Sequence, residues 1–223
     1  MSKKLLRSVV SILIFGVLSG CKPDSIELTL YTSDLEMARE GEVIEVPVTV
    51  AYSMMGKDDD NVFDQVIETV KPFVSNDTKF SKSKGAFGDN LVVETKISIL
   101  NRESETLISK VSNNLGYISV SAEDDWIIFT PSKKAGKKLD KKLREINMMI
   151  GFNLTPNNMK IRVASDSRES RKIISYATWV AKKPYLEFQT DINRRDEVQL
   201  HFKGSDGSIY SEITPRFILT SSN

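Results

Sequence analysis

The sequence predicts an α+β fold in which a mixed or antiparallel sheet packs against about three helices. Residues 43–54 alternate apolar and polar side chains, which is the pattern of a strand with one buried face. Residues 61–74 instead place apolar side chains at helical spacing, so they form one broad apolar stripe. After residue 155 nearly every segment alternates again, which predicts a C-terminal part rich in strands.

Strand-like and helix-like segments follow one another from residue 26 to residue 122. The predicted strands are residues 26–31, 43–54, 78–84, 90–99 and 117–122. The predicted helices are residues 61–71 and 103–115, and Gly116 after the second suits a helix C-terminus. The charged segment 33–42 is predicted to be a turn. Pro47 cannot donate a ladder hydrogen bond, so it is predicted to lie at a sheet edge or at a bulge.

From Val43 to Ala122 the predicted order is strand, helix, strand, strand, helix, strand. This order resembles the βαββαβ unit of ferredoxin-like folds, which occur in proteins of many functions. The resemblance implies a ferredoxin-like core followed by a C-terminal β-meander. The additional elements are a strand at 126–131, a helix at 132–150, strands at 159–165, 172–182, 185–192 and 196–203, and an edge strand at 216–219.

The first 21 residues have the three parts of an export signal. Lys3, Lys4 and Arg7 make the start basic, residues 9–18 are mostly apolar, and small residues precede Cys21. The apolar run is too short to span a bilayer, which takes about 20 residues. The alternative is a buried N-terminal helix of a cytosolic protein. The polar stretch after Cys21 argues against it, because it has the composition of an exposed tether.

The segment Leu18-Ser19-Gly20-Cys21 resembles the lipobox of bacterial lipoproteins. The resemblance implies cleavage between Gly20 and Cys21, a diacylglyceryl group on the thiol of Cys21, and acylation of the new amine. Two or three acyl chains anchor a domain durably, whereas one chain binds a membrane only marginally. The membrane is therefore an implied partner, reached through acylated Cys21, and the protein is expected to face the periplasm. Lys22 favours the outer membrane over the inner one, because the inner-membrane retention signal of enteric bacteria is an aspartate there.

The predicted organisation has four segments. They are a signal peptide at 1–20, a lipidated tether with the first strand at 21–42, an α+β domain at 43–154, and a C-terminal β-rich subdomain at 155–223. Cleavage leaves 203 residues, enough for a sizeable core, with 28 Lys and Arg against 30 Asp and Glu. This near balance produces no global field that would attract nucleic acid, so no nucleic-acid partner is predicted.

Cysteine and histidine usage excludes several kinds of chemistry. Cys21 is the single cysteine, so the lipidated chain would have neither a free thiol nor a disulfide. His201 is the single histidine, which excludes zinc sites built from several Cys or His ligands. The alternation of Val198, Leu200 and Phe202 places His201 on the outer face of its strand, and no GxSxG motif accompanies it. No catalytic residue, metal or cofactor is predicted.

A strongly basic helix is the candidate contact surface. It carries six lysines and one arginine: Lys133, Lys134, Lys137, Lys138, Lys141, Lys142 and Arg144. One interpretation is contact with anionic lipid headgroups or with a partner. The other is a solvated helix face that Asp140 and Glu145 balance.

Three further patterns match known sites incompletely. Ser81 to Lys84 has the SxxK spacing of penicillin-recognising acyl-transfer enzymes, but it falls in a predicted strand. The acidic run at 58–61 lacks the spacing of a calcium loop. The charged turns at 168–171 and 194–197 form either a recognition rim or exposed salt bridges of small energy.

These observations favour a lipid-anchored protein of the cell envelope with a non-catalytic binding or assembly role. Its expected partner is another protein or a component of the cell wall. One alternative is a periplasmic hydrolase that uses paired carboxylates. A second is an exclusion or conjugation accessory of a mobile element. It follows from a resemblance of the segments "IELTLYTSDL" and "VIEVPVTV" to uncharacterised lipoproteins of phages and other mobile elements.

Overall fold

The computed structural model describes residues 23–53, 60–85, 88–111, 116–121, 123–146, 158–203 and 214–222. The predicted signal peptide, the lipobox and Cys21 lie outside the described residues. The strands are β1 Pro23–Tyr31, β2 Ile44–Ser53, β3 Lys79–Gly85, β4 Gly88–Asn101, β5 Gly116–Val120, β6 Trp126–Pro131, β7 Asn158–Ala164, β8 Arg171–Val180, β9 Lys183–Ile192, β10 Glu197–Lys203 and β11 Arg216–Ser221. The helices are α1 Thr32–Arg39, α2 Asp60–Val70, α3 Glu105–Val111 and α4 Lys133–Ile146, and a 3₁₀ turn, Lys71–Phe73, follows α2.

Nine of these strands close into a barrel. Neighbouring strands follow the order β10, β7, β1, β2, β4, β5, β6, β11, β8, and β8 meets β10 where Trp179 lies opposite His201. The pairs β1–β7 and β4–β5 are parallel, and the other pairs are antiparallel. Two strands stay outside the ring, since β3 pairs with β4 and β9 pairs with β8.

The predicted α+β, ferredoxin-like fold is therefore wrong. Strands account for 54% of the structure and helices for 25%, and the sheet closes on itself instead of carrying a helical layer. The physical reason is that the order of elements does not determine which strands pair. The C-terminal strand β7 runs parallel to β1, with Ile26 opposite Met159. The strands of the predicted C-terminal subdomain thus lie in one sheet with those of the preceding segment, and the boundary between the two stays a prediction.

Alternation along each strand fills the barrel with apolar side chains. In β1, Ile26, Leu28 and Leu30 point inward and are buried, and Val46 and Val48 of β2 join them. This core also includes buried residues of the strands β4, β5, β6, β7, β8, β9, β10 and β11. Each fully buried aliphatic side chain contributes about 1.5–3 kcal/mol, so this shared interior stabilises the ring as a unit.

Helix α1 covers one end of the barrel, although the sequence predicts a turn at 33–42. Leu35 and Ala38 are completely buried in the barrel core. The guanidinium of Arg39 donates hydrogen bonds to the carbonyl oxygens of Leu219 (2.7 Å) and Asp125 (3.3 Å). The side-chain amide of Asn101 donates to the carbonyl of Arg39 (2.8 Å). These contacts join α1 to β4, to β11 and to the turn before β6, and this end is called the α1 end below.

The opposite end, called the helical end, carries α2, the 3₁₀ turn and α4. Their apolar faces pack on Tyr52, Leu91 and Val93, which lie toward the ends of β2 and β4 that are farthest from α1. The buried residues of the two helices in this second core are Phe63, Val66, Val70, Ala135, Leu139 and Leu143. Pro23 pairs with Tyr52, so β1 begins at the helical end.

Most predicted strands and all three predicted helices are confirmed in position, but the predicted edge position of the last strand is wrong. Strand β2 lies between β1 and β4, but its pairing with β1 ends at Val48, so Pro47 lies on a locally unpaired edge of β2, as the sequence predicts. On its other side Pro47 pairs with Lys96 in a continuous register with β4, so it is at an edge and not at a bulge. The run at 216–219 forms β11, which lies between β6 and β8 and is not an edge strand.

Candidate functional site

A groove in the outer wall of the barrel begins where β1 and β2 stop pairing. Their register ends at Leu28 opposite Val48, one residue before Pro47, which has no N–H to donate. Beyond that point β1 stays paired with β7 only, through Tyr31 opposite Ala164. The resulting groove has a volume of about 390 Å³ and lies across β1, β2, β7 and β10. It is lined by Glu27, Leu28, Thr29, Tyr31, Pro47, Thr49, Lys160, Arg162 and Gln199.

The groove combines paired charges with neutral hydrogen-bonding groups. Lys160 forms an ion pair with Glu27 across the β1–β7 pair. Arg162 lies 3.6 Å from Glu197, and half of its side chain is exposed. Thr29, Thr49 and Gln199 add hydroxyl and amide groups that both donate and accept hydrogen bonds. These groups can bind a polar ligand, whereas an acid and a base for hydrolysis need two carboxyl groups at the scissile bond.

His201 lies beside the groove on the outer face of β10, as the sequence predicts. Leu200 and Phe202 are buried inside the barrel, while His201 is half-buried. Burial lowers the pKa of His201 below its ordinary value, and the positive charges of Lys203 and Lys160 lower it further. Its imidazole is therefore neutral at pH 7.

Asp166 caps the N-terminus of α1, at the α1 end of the barrel. One carboxylate oxygen accepts hydrogen bonds from the Thr32 hydroxyl (2.9 Å) and the Ser33 amide (3.0 Å), and the other accepts from the Ser33 hydroxyl (2.5 Å). Burial raises the pKa of Asp166, but these hydrogen bonds outweigh burial and lower its pKa overall. Partial burial and the nearby charge of Asp166 raise the pKa of Asp34. These hydrogen bonds hold the first residues of α1, so Asp166 acts as a cap of that helix.

The basic helix of the sequence prediction is α4. Its exposed basic residues are Lys134, Lys137, Lys138, Lys141, Lys142 and Arg144. The side chain of Lys133, which was predicted with them, lies outside the described residues. Arg144 is neutralised by Asp140 (2.9 Å), one turn earlier. Lys134, Lys137 and Lys141 lie on the side of α4 that faces away from its buried Leu139 and Leu143, and Lys138 and Lys142 flank that side.

The remaining predicted patterns do not form a site with the groove or with α4. Ser81 and Lys84 are exposed on β3, where residues three apart point to opposite faces. The acidic run at 58–61 lies mostly outside the described residues. Both charged turns lie at the α1 end, where the amide of Arg195 donates to the carbonyl of Ser165 (2.8 Å), a few residues before the first turn. There Arg171 forms ion pairs with Glu36 (2.5 Å) and Glu169 (2.9 Å), which supports the salt-bridge interpretation for this residue.

Sequence reasoning missed both the groove and the Asp166 cap. The groove requires the parallel pairing of β1 with β7, and the cap joins Thr32 to a residue far along the chain. Pro47, inside a clean alternating run, was the available signal for the groove. No signal in the sequence linked Asp166 to α1, because neither segment contains a motif from which a contact with the other could be predicted.

The described residues contain neither a metal-binding cluster nor a membrane-spanning helix. No group of three or more His, Cys, Asp or Glu side chains there is arranged to hold a metal ion. No helix in the same residues is both long enough and apolar enough to cross a membrane.

The described residues thus form a closed β-barrel with a polar groove in its outer wall and a basic helix at one end. The chain belongs to the family of the domain of unknown function DUF7424, whose family model matches residues 24–208. That match includes the strands β2 to β10 and every helix named above. No curated protein matches the chain.

Proposed function

We propose that the protein is a lipid-anchored binding protein of the cell envelope. In this proposal acylated Cys21 holds the barrel at the periplasmic face of a membrane, with the outer membrane favoured by Lys22. The groove across β1, β2, β7 and β10 then binds a second protein or a component of the cell wall. The binding role is non-catalytic.

One observation carries the binding role. Of the residues that line the groove, Glu27 has the one carboxylate, and it is engaged by Lys160. A carboxylate-based hydrolase needs two carboxyl groups on either side of the bond that it cleaves. The groove instead offers hydroxyl, amide and guanidinium groups beside Tyr31, which is 47% exposed. This set suits recognition, because polar groups fix a ligand and an aromatic ring supplies contact area.

The anchor is tested by membrane fractionation in a Gram-negative host. We expect the wild-type chain in the membrane fraction and Cys21→Ser outside it, since the substitution removes the thiol that accepts the lipid. Ser8→Ala, in the same leader but away from the lipobox, is the control and should behave as wild type. A wild-type chain that stays in the cytosol would disprove the lipoprotein assignment.

Two matched threonine-to-arginine substitutions test the groove. Thr29→Arg places a bulky cation in the groove, whereas Thr220→Arg places it on the outer side of β11. After mild crosslinking in cells, we expect the wild type and Thr220→Arg to capture the same partners. Thr29→Arg should fail to capture them. Equal capture by all three proteins would show that the groove is not the binding surface.

A further inference from the structure

We propose that the helical end of the barrel lies against a bilayer containing anionic phospholipid, with the lysines of α4 at its headgroups. The inference rests on the lipid anchor of the proposed function and adds the orientation of the barrel and the surface that it contacts. Three observations carry it: where β1 begins, which side of α4 is exposed, and what the β8–β9 hairpin presents at the same end.

The position of β1 fixes which end of the barrel lies near the anchor. Pro23 lies opposite Tyr52, and Tyr52 packs in the same core as Leu139 and Leu143 of α4. Cys21 precedes Pro23 by two residues, and two extended residues span at most about 7 Å. An acylated Cys21 therefore leaves little room between the bilayer and the helical end.

The exposed side of α4 has the charge that anionic headgroups attract. Lys134, Lys137 and Lys141 follow the i, i+3, i+7 spacing, so they lie on one face of the helix, opposite the buried Leu139 and Leu143. Lys138 and Lys142 flank that face and are also exposed.

Nearby acids offset only part of this charge. Asp140 is engaged by Arg144, and Glu68 of the neighbouring helix α2 pairs with Lys71. Glu145 and Asp64 are exposed, so the surface formed by the two helices keeps an excess of lysines.

The β8–β9 hairpin adds an apolar contact at the same end. Arg171 at the start of β8 pairs with Glu36 of α1, so the other end of β8 and its turn lie toward the helical end. Just after that turn, Leu186 is 75% exposed and Tyr185 is 37% exposed. Lys182 and Lys183 are exposed beside them. Leu186 and Tyr185 point to opposite faces of β9, so each face of the hairpin presents one such residue near these lysines, and leucine, tyrosine and lysine are typical of surfaces that rest in the headgroup region.

The short tether makes the electrostatic contact effective. Attraction to an anionic leaflet falls off within a Debye length, about 8 Å at physiological salt, which is close to the span between Cys21 and Pro23. The orientation should therefore depend on both anionic lipid and salt, whereas the anchor itself should depend on neither.

Two labelled positions measure this orientation in the full lipidated chain. Glu145→Cys on α4 and Glu123→Cys at the α1 end are both exposed glutamates, and acylated Cys21 does not react with a thiol dye. The chain is reconstituted in phosphatidylcholine vesicles with or without phosphatidylglycerol, and headgroup spin labels act as quenchers. We expect severalfold stronger quenching at position 145 with phosphatidylglycerol, its loss in high salt, and no such change at position 123.

Charge variants decide whether the lysines cause the effect. Lys134→Gln, Lys137→Gln and Lys141→Gln together should abolish the dependence on phosphatidylglycerol at position 145. The matched control is Arg168→Gln, Arg194→Gln and Arg195→Gln at the α1 end, which should leave it unchanged. The inference would be overturned by equal quenching at both positions. It would also be overturned if quenching at position 145 were the same with and without phosphatidylglycerol. A chain that does not float with vesicles in high salt would overturn the lipid anchor, and the orientation with it.

Discussion

Asp166 shows how one side chain can fix the position of a helix. It accepts hydrogen bonds from Thr32 and Ser33, and the side chain of Thr32 is completely buried. We expect Asp166→Ala to lower the free energy of unfolding by about 1–2 kcal/mol, because the cap is lost and a buried hydroxyl loses its acceptor. Urea denaturation measures the change. The control Asp64→Ala, at an exposed site on α2, should change stability by less than about 0.5 kcal/mol, and an equal loss in both variants would contradict the cap.

The same residue should make stability depend on pH. The hydrogen bonds from Ser33 and Thr32 lower the pKa of Asp166 in spite of its burial, so the folded value lies below the unfolded value of about 3.9. The contribution of Asp166 is therefore complete above about pH 4 and is lost as the pH falls through the folded pKa. We expect the stability difference between the wild type and Asp166→Asn to shrink as urea denaturation is moved from neutral to strongly acidic pH. A difference that stays constant would rule out the charge of Asp166 as its origin.

At the scale of elements, α1 stabilises the barrel more than its polar sequence indicates. Leu35 is completely buried in the core that the nine strands share. We expect Leu35→Ala to cost about 2–5 kcal/mol, because the surrounding strands cannot collapse fully onto the cavity. The same substitution at Leu186, which is 75% exposed, is the control and should cost less than about 0.5 kcal/mol. Urea unfolding curves compare the two, and similar losses would mean that α1 packs only weakly.

Elements were predictable where their periodicity was long enough to recognise. The helices α2 and α4 each bury an apolar stripe of several turns, and the strands alternate over five residues or more. Helix α1 was missed because it has eight residues and buries only Thr32, Leu35 and Ala38. A stripe that short cannot be distinguished from a charged turn by its pattern.

At the scale of the whole molecule, the sequence specifies the strands but not their partners. Strand β7 pairs with β1, although the two are far apart in the sequence, and β11 lies between β6 and β8. Alternation says which face of a strand is buried, and it is the same whether the sheet is open or closed. The groove depends on pairings between strands that are distant in the sequence. Pro47 was therefore the one feature of the groove that the sequence could indicate.

The barrel closes through its shortest ladder. Between β8 and β10 the described register consists of Trp179 opposite His201, and the hydroxyl of Thr178 donates to the carbonyl of His201 (3.3 Å). The ladder between β2 and β4 runs without interruption from Ile44 to Ser53. Opening of the ring should therefore begin at the β8–β10 seam, which has the fewest backbone hydrogen bonds to break.

The position of His201 makes this seam sensitive to acid. Burial, Lys203 and Lys160 lower its pKa, and the weaker opposing effect of Glu27 does not reverse this. The unfolded or opened chain then binds the proton more readily, so stability is complete above about pH 6.5 and is lost as the pH falls through the folded pKa. We expect a change from neutral to mildly acidic pH to increase the opening of β8 and β10 more than that of β2 and β4, measured by amide hydrogen exchange corrected for its intrinsic pH dependence. His201→Gln should remove this difference while leaving β2 and β4 unchanged. Equal acceleration in all four strands would show that acid weakens the barrel elsewhere than at the seam.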